Sequence, residues 1–185
     1  LLVIAVLTAA AFSRPLVRPA TKKVSYTQSV TYGYRATAKP GATYPDGKVS
    51  TGMPVFTKLV SSITLSATYL LDADLPHDAH GSYSLDAEIS AGGSWKQTTV
   101  LQPQTAFTGT SFQTETTLDF DELRSMVADV KAETGSGSDA LTISITPNVT
   151  VQGSVGPLVM SDRYSTPIEL SLTPLELTFD SPKNG

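Results

Sequence analysis

The sequence predicts an all-β fold: an antiparallel sandwich of two sheets, Ig-like in general architecture, with one amphipathic helix near residues 119–134. Three observations carry this. Apolar side chains recur at every second position in successive stretches of the chain, the period of a half-buried strand. Ser and Thr make up about a quarter of the residues, and β-branched Thr suits a pleat with one face in water. A single stretch downstream of the apolar start has a helical period, and no repeat of roughly 20 to 50 residues suggests a solenoid or propeller. Many short strands plus one helix pack best as a sandwich. At 185 residues without cysteine, one domain buries about 70% of its unfolded surface and folds without disulfides.

Residues 1–12, LLVIAVLTAAAF, are apolar all round and read as the end of a transmembrane or signal segment. They fall short of the roughly 20 residues a bilayer crossing takes, so a span cut off at its start is expected. The small residues of TAAAF keep a cleaved signal open as the alternative. Residues 13–23, SRPLVRPATKK, form an extended linker, because Pro15 and Pro19 stop a helix from continuing. The sandwich is expected over 24–180, with a tail over 181–185.

Within it, Val24, Tyr26, Val30, Tyr32 and Tyr34 share one parity and predict the first strand. KPGATYPDGK reads as loop from its Pro and Gly pairs. Leu59, Ile63, Leu65, Ala67, Tyr69 and Leu71 predict a strand, as do Tyr83, Leu85, Ala87 and Ile89. The two are expected to form a hairpin around the polar loop DADLPHDAHG. KQTTVL and FQTETTL are shorter strand candidates. In LDFDELRSMVADVKAETG the stripe Phe120, Leu123, Met126, Val127 and Val130 predicts a helix with one buried face. Asp119 and Glu122 have capping-box spacing, and Gly135 ends it. GSGSDA reads as a flexible linker. Leu141, Ile143, Ile145, Val149 and Val151 predict a further strand. Ile168, Leu170 and Leu172 then give way to the opposite parity at Leu175, Leu177 and Phe179, which predicts a bulge near Pro174.

The formal charge of −4 and a pI near 5.1, with no basic run interleaved with aromatics, exclude a nucleic-acid partner. Both histidines lie in DADLPHDAH, where Asp72, Asp74, His77, Asp78 and His80 are ligand types a divalent metal takes. A solvated loop has the same composition, and no defined spacing fixes the two imidazoles together. Metal, cofactor and catalytic residues are therefore all assigned as none. No G-x-S-x-G elbow surrounds a serine, so a hydrolase using His77 or His80 stays the third reading. Asn148-Val149-Thr150 matches the glycosylation acceptor pattern. Trp95 reads as a core or hairpin anchor. Tyr26, Tyr32 and Tyr34 form a carbohydrate strip only if their rings are exposed.

The most specific stretch is YPDGKVSTGMPVFTKLVSSITLSATYLL, from Tyr44 to Leu71. Taken with the tyrosine-rich strand before it, SWKQTTVL, the helix and the terminal SLTPLELTF, it resembles the family catalogued as domain of unknown function 5305. The resemblance runs from Lys23 to Phe179. It implies a prokaryotic protein, archaeal or actinobacterial in type, with an N-terminal membrane span and an extracytoplasmic β-rich domain. It also implies, in many members, a second span after the domain, and carries over no catalytic or ligand residue. Arg14, Arg18, Lys22 and Lys23 on the domain side pull the other way by the positive-inside tendency. The expected function is non-enzymatic: a single-pass or double-pass cell-membrane protein, anchored in lipid by its N-terminal segment, in cell-envelope interaction or assembly. A ligand-binding module for a divalent metal or glycan is the alternative. In a further variant, an exposed edge strand accepts residues 13–23 of a neighbour.

Overall fold

A computed structural model describes residues 24–92, 95–135 and 140–180. The expected membrane segment, the linker over 13–23, residues 136–139 of GSGSDA and the tail lie outside the described residues. In chain order the elements are β1 (Tyr26–Thr37), β2 (Lys48–Ser50), β3 (Val55–Phe56), β4 (Ser62–Ala73), β5 (His77–Ala91), β6 (Trp95–Thr108), β7 (Ser111–Asp119), α1 (Phe120–Thr134), β8 (Leu141–Val155), β9 (Leu158–Tyr164), β10 (Ile168–Leu172) and β11 (Glu176–Phe179). They form the expected antiparallel sandwich. One sheet has the order β2-β1-β4-β7, and the other β3-β11-β10-β8-β5-β6, with β9 also paired to β8.

The alternation read from the sequence is the burial pattern of the strands. Ile63, Leu65, Ala67, Tyr69 and Leu71 of β4 are buried, as are Leu141, Ile143, Ile145, Val149 and Val151 of β8. Each such aliphatic side chain contributes about 1.5–3 kcal/mol through its burial. The helix starts at its predicted cap: the Asp119 carboxylate accepts from the amides of Asp121 and Glu122, at 2.8 and 3.1 Å. It stops at Gly135, whose φ of 67° is left-handed and whose amide returns to the Lys131 carbonyl. Phe120, Leu123 and Val127 of its stripe are buried against the larger core cluster, and Met126 is half-buried against it.

Two expectations fail, and for one reason: strand parity says nothing about which strand pairs with which. β4 and β5 are not a hairpin. β4 pairs with β1 and β7, whereas β5 pairs with β6 and β8, so the chain changes sheets between Ala73 and His77. Most of the expected polar loop is strand. The parity change near Pro174 is also not a bulge: β10 and β11 are two strands that pair antiparallel, Leu172 opposite Leu177. The reversal is made by Thr173, whose hydroxyl accepts from the amides of Leu175 and Glu176 while its own amide donates to the Glu176 carbonyl.

The spine of the larger sheet is the β5–β8 ladder, unbroken from His77↔Val155 to Ala91↔Leu141. Along the far side of β8 the partner changes. β10 covers Leu141–Ile145, β9 covers Val149–Val155, and Pro147, which has no amide hydrogen to donate, sits in the gap between them. Opposite Pro147 is Leu85, where β6 also slips register against β5. The core divides at this level into a larger cluster toward the helix and a smaller, aromatic one built on Tyr69, Tyr83, Phe107, Phe112 and Tyr164.

Two glycines let β5 and β8 approach in the aromatic half. A Cβ on Gly81 would collide with the Thr150 carbonyl and meet the Phe107 ring, and one on Gly153 would collide with the Asp78 carbonyl. Both obstacles include backbone, so neither can rotate away. Gly81→Ala is therefore expected to cost about 1–3 kcal/mol as overpacking does, seen as a fall in thermal midpoint. Gly41→Ala, where a Cβ meets nothing closer than 3.9 Å, should leave the midpoint within the small range of ordinary surface changes.

Candidate functional site

The structure takes the acidic, histidine-bearing stretch apart. Asp72 is the last residue but one of β4 in one sheet, while His77, Asp78 and His80 open β5 in the other. His77 and His80 are three residues apart on one strand and so project from opposite faces. His77 Nδ1 lies 2.8 Å from the Leu75 carbonyl. Asp78 accepts from both the hydroxyl and the amide of Ser154 on β8, and this contact, more than His80 nearby, holds its carboxyl below the usual range. No group of three or more metal-ligating side chains converges among the described residues. A serine bonded directly to a carboxylate also has no imidazole between them to take its proton, as a hydrolytic triad requires.

Asn148 lies within β8 with its amide nitrogen donating to Asp86 at 2.7 Å. Trp95 opens β6 and packs half-buried on the larger core, an anchor as its position suggests. Of the three tyrosines of β1, Tyr26 is exposed and Tyr32 and Tyr34 are half-buried, so they do not form a continuous exposed strip. Sharing one parity, they turn toward the other sheet and line a single rim of the sandwich.

That rim is where β1 faces β9, β10 and β11, and it is closed at two places. At one end the chain crosses from β2 to β3 through residues 51–54. Here the Tyr34 hydroxyl donates to the Met53 carbonyl at 2.5 Å and accepts from the Gly52 amide at 3.1 Å. The Tyr34 ring lies flat on Phe179 of β11, centroids 4.4 Å apart and planes within 4°. At the other end a polar clamp joins β1 to β9: Tyr26 and Gln28 both donate to Asp162 Oδ2, at 2.7 and 2.9 Å. Tyr69 extends the clamp inward by donating to Gln28 Oε1 at 2.9 Å. Burial, with Asp162 close by, pushes the Tyr69 phenol up to about 12.

Between the closures lies a cleft of about 470 Å³ that includes Tyr32, Tyr34, Met53, Ile168, Phe179 and Asp180 in its lining. Glu176 borders it as well. The Tyr32 hydroxyl is buried and has no hydrogen-bond partner among the described residues, and burial drives its pKa well up. The cleft opens onto a strand edge that no described residue pairs. β2 covers only Arg35–Thr37 of β1, so residues 26–33 have β4 on one side and, among the described residues, no strand on the other. Thr51 ends the open stretch, its hydroxyl accepting from the Tyr34 amide and donating to the Tyr34 carbonyl. The sequence displays the tyrosine parity but not this edge, whose existence depends on β2 being three residues long.

No protein-family model and no curated protein matches the chain. Among solved structures, a crystal structure of a protein from Archaeoglobus fulgidus aligns with it at 14% identity. The alignment covers 82% of this chain and 97% of that one with a TM-score of 0.29.

The clamp sets a pH dependence. Asp162 is held below its ordinary range mainly by the Tyr26 hydroxyl, then by the Arg163 amide, with Gln28 adding to it. A carboxyl depressed in the folded state contributes stability above its unfolded pKa, near 3.9, and loses it as pH falls through the folded value. Tyr26→Phe is accordingly expected to lower stability at pH 7 and to converge on wild type below about pH 3, as read by denaturant melts across that range. The separation of His77 and His80 gives a second expectation. Zinc should produce no rise in melting temperature that a His77→Ala, His80→Ala double variant abolishes.

Proposed function

We propose that the chain is a membrane-tethered, extracytoplasmic β-sandwich that works by contact, in cell-envelope interaction or assembly. The observation that carries this reading is the open rim. A strand edge that no described residue pairs over residues 26–33 lies beside an apolar cleft, a combination that natural sandwiches ordinarily cover or block. An edge of this kind recognises extended backbone through its free amides and carbonyls, and the cleft beside it selects a side chain. The apolar run over residues 1–12 supports the tether, and the likeness to the domain family 5305 supports the extracytoplasmic side. Among the described residues no helix is long and apolar enough to cross a membrane.

A glycan module draws support from the Tyr32 hydroxyl, which has no partner among the described residues. It is the weaker reading, because the Tyr34 ring already has one face stacked on Phe179 and its hydroxyl is engaged twice. The test is protease treatment of intact cells carrying the full reading frame. Digestion of the domain without lysis is the expected result, and protection until lysis would place it on the cytoplasmic side and overturn the reading.

A further inference from the structure

The β5–β8 ladder defines the two ends of the sandwich, His77↔Val155 at one and Ala91↔Leu141 at the other. The chain enters at the first end, because Tyr26 pairs with Ala73 and the Ser25 carbonyl accepts from the Asp74 amide, just before β5 begins. The β8–β9 hairpin turns at this end too. Its two turn residues are Gly156 and Pro157, with Val155 opposite Leu158, and the Gly156 amide donates to the Pro76 carbonyl. Gly156 has a φ of 58°, and a Cβ on it would collide with Leu75, so the turn is seated on the crossover from β4 to β5.

Hairpin tips ordinarily carry Gly, Asn, Asp or Ser, which suit both the turn and water. This one reads Gly-Pro-Leu-Val. Pro157 is exposed, Leu158 is 52% exposed and Val159 is 91% exposed, the highest value of any large apolar side chain among the described residues. Pairing with Val155 and Ser154 of β8 fixes both on the tip. A single exposed apolar side chain needs no explanation, whereas adjacent ones held out on a rigid turn mark a contact surface. Chain length limits what this surface meets. Residues 13–23 join the apolar run 1–12 to Val24 and span at most about 40 Å at full extension. The fifteen-pair ladder is itself about 45 Å long, so a bilayer that holds residues 1–12 lies out of reach of the far, helix-bearing end of an inverted domain. The hairpin tip needs only that the domain stand on the end from which it is tethered.

We infer that the β8–β9 hairpin is a second membrane contact, with Leu158 and Val159 entering the bilayer surface beside the tether. Entry is shallow. Asp74 and Asp78 are exposed at the same end, Asp78 opposite Ser154 and so two strands from Val159, and carboxylates are costly to take out of water. They hold the domain at the level of the headgroups. The contact adds a fixed orientation to a domain that the linker alone would leave free to turn. The inference rests on the tether in the reading above and is independent of which side of the membrane the domain occupies.

The sequence has no cysteine, so one introduced at Val159 can carry a polarity-sensitive fluorophore. The chain with residues 1–23 intact is reconstituted with phosphatidylcholine vesicles and floated on a density gradient. For Val159→Cys a blue-shifted emission is expected, quenched by phospholipid spin-labelled near the headgroup and less by phospholipid spin-labelled at the end of the acyl chain. Leu175→Cys, 65% exposed in the turn between β10 and β11 at the far end, should keep the emission of a probe in water. Leu158→Asp added to Val159→Cys should remove most of the quenching. Equal quenching at Leu175→Cys, or quenching undiminished by Leu158→Asp, overturns the inference. Water-like emission from Val159→Cys in chains that float with the vesicles also overturns it, leaves the tether standing and assigns the tip to a protein partner. Chains that fail to float take away the tether itself, and the inference falls with it.

Discussion

The antiparallel ladder between β5 and β8 is the constraint on which the other elements depend. Its fifteen residue pairs bring the inward sets of both strands onto one face, and a slip of one residue would send all of them into water. Gly81 and Gly153 hold the two backbones at a separation that no side chain permits, which makes the register costly to change. β6 attaches to one side of this spine, β10 and then β9 to the other. Pro147 marks the transfer, because a residue without an amide hydrogen is tolerated where one partner has ended and the next has not begun. The division of the core into a larger, helix-capped half and a smaller half built on aromatic rings follows from the same level of the ladder.

What the sequence made legible was whatever local chemistry decides. The helix was readable to its caps, because Asp119 and Gly135 act on backbone groups within one turn of themselves. The burial of β4, β5 and β8 was readable because their alternation is long and uninterrupted. Pairing was not readable in the same way. Nothing in Tyr69 or Tyr83 says that the one belongs with β1 and the other with β8, since that choice is made by residues far along the chain. β9 is not legible in the sequence because its apolar Leu158 and Val159 are adjacent rather than alternating, and its inward set includes a carboxylate, Asp162, that is hydrogen-bonded across the rim.

The same contrast applies to the candidate site. The most conspicuous polar cluster in the sequence, from Asp72 to His80, is divided between two sheets and two faces of one strand. The rim that does assemble is made from residues that look ordinary in isolation: a tyrosine parity, a phenylalanine near the end of β11 and a threonine in a crossover. Tyr44 illustrates the point on a smaller scale. It sits in a segment that reads as loop and is loop, yet it is buried, accepting from the Phe56 amide and donating to the Pro54 carbonyl. Loop status is set by backbone torsions, whereas burial is set by what the loop covers.

The β1–β4 pairing has a mechanical meaning as well as a structural one. Tyr26 lies opposite Ala73 and Arg35 opposite Thr64, so the two strands run side by side over ten residue pairs. Tension entering through the N-terminal end of β1 acts along that row of hydrogen bonds and loads them in parallel. A pull perpendicular to the strands would instead open them one at a time. A domain held from this end therefore meets stretching in its shear direction, the arrangement in which many weak bonds must yield together.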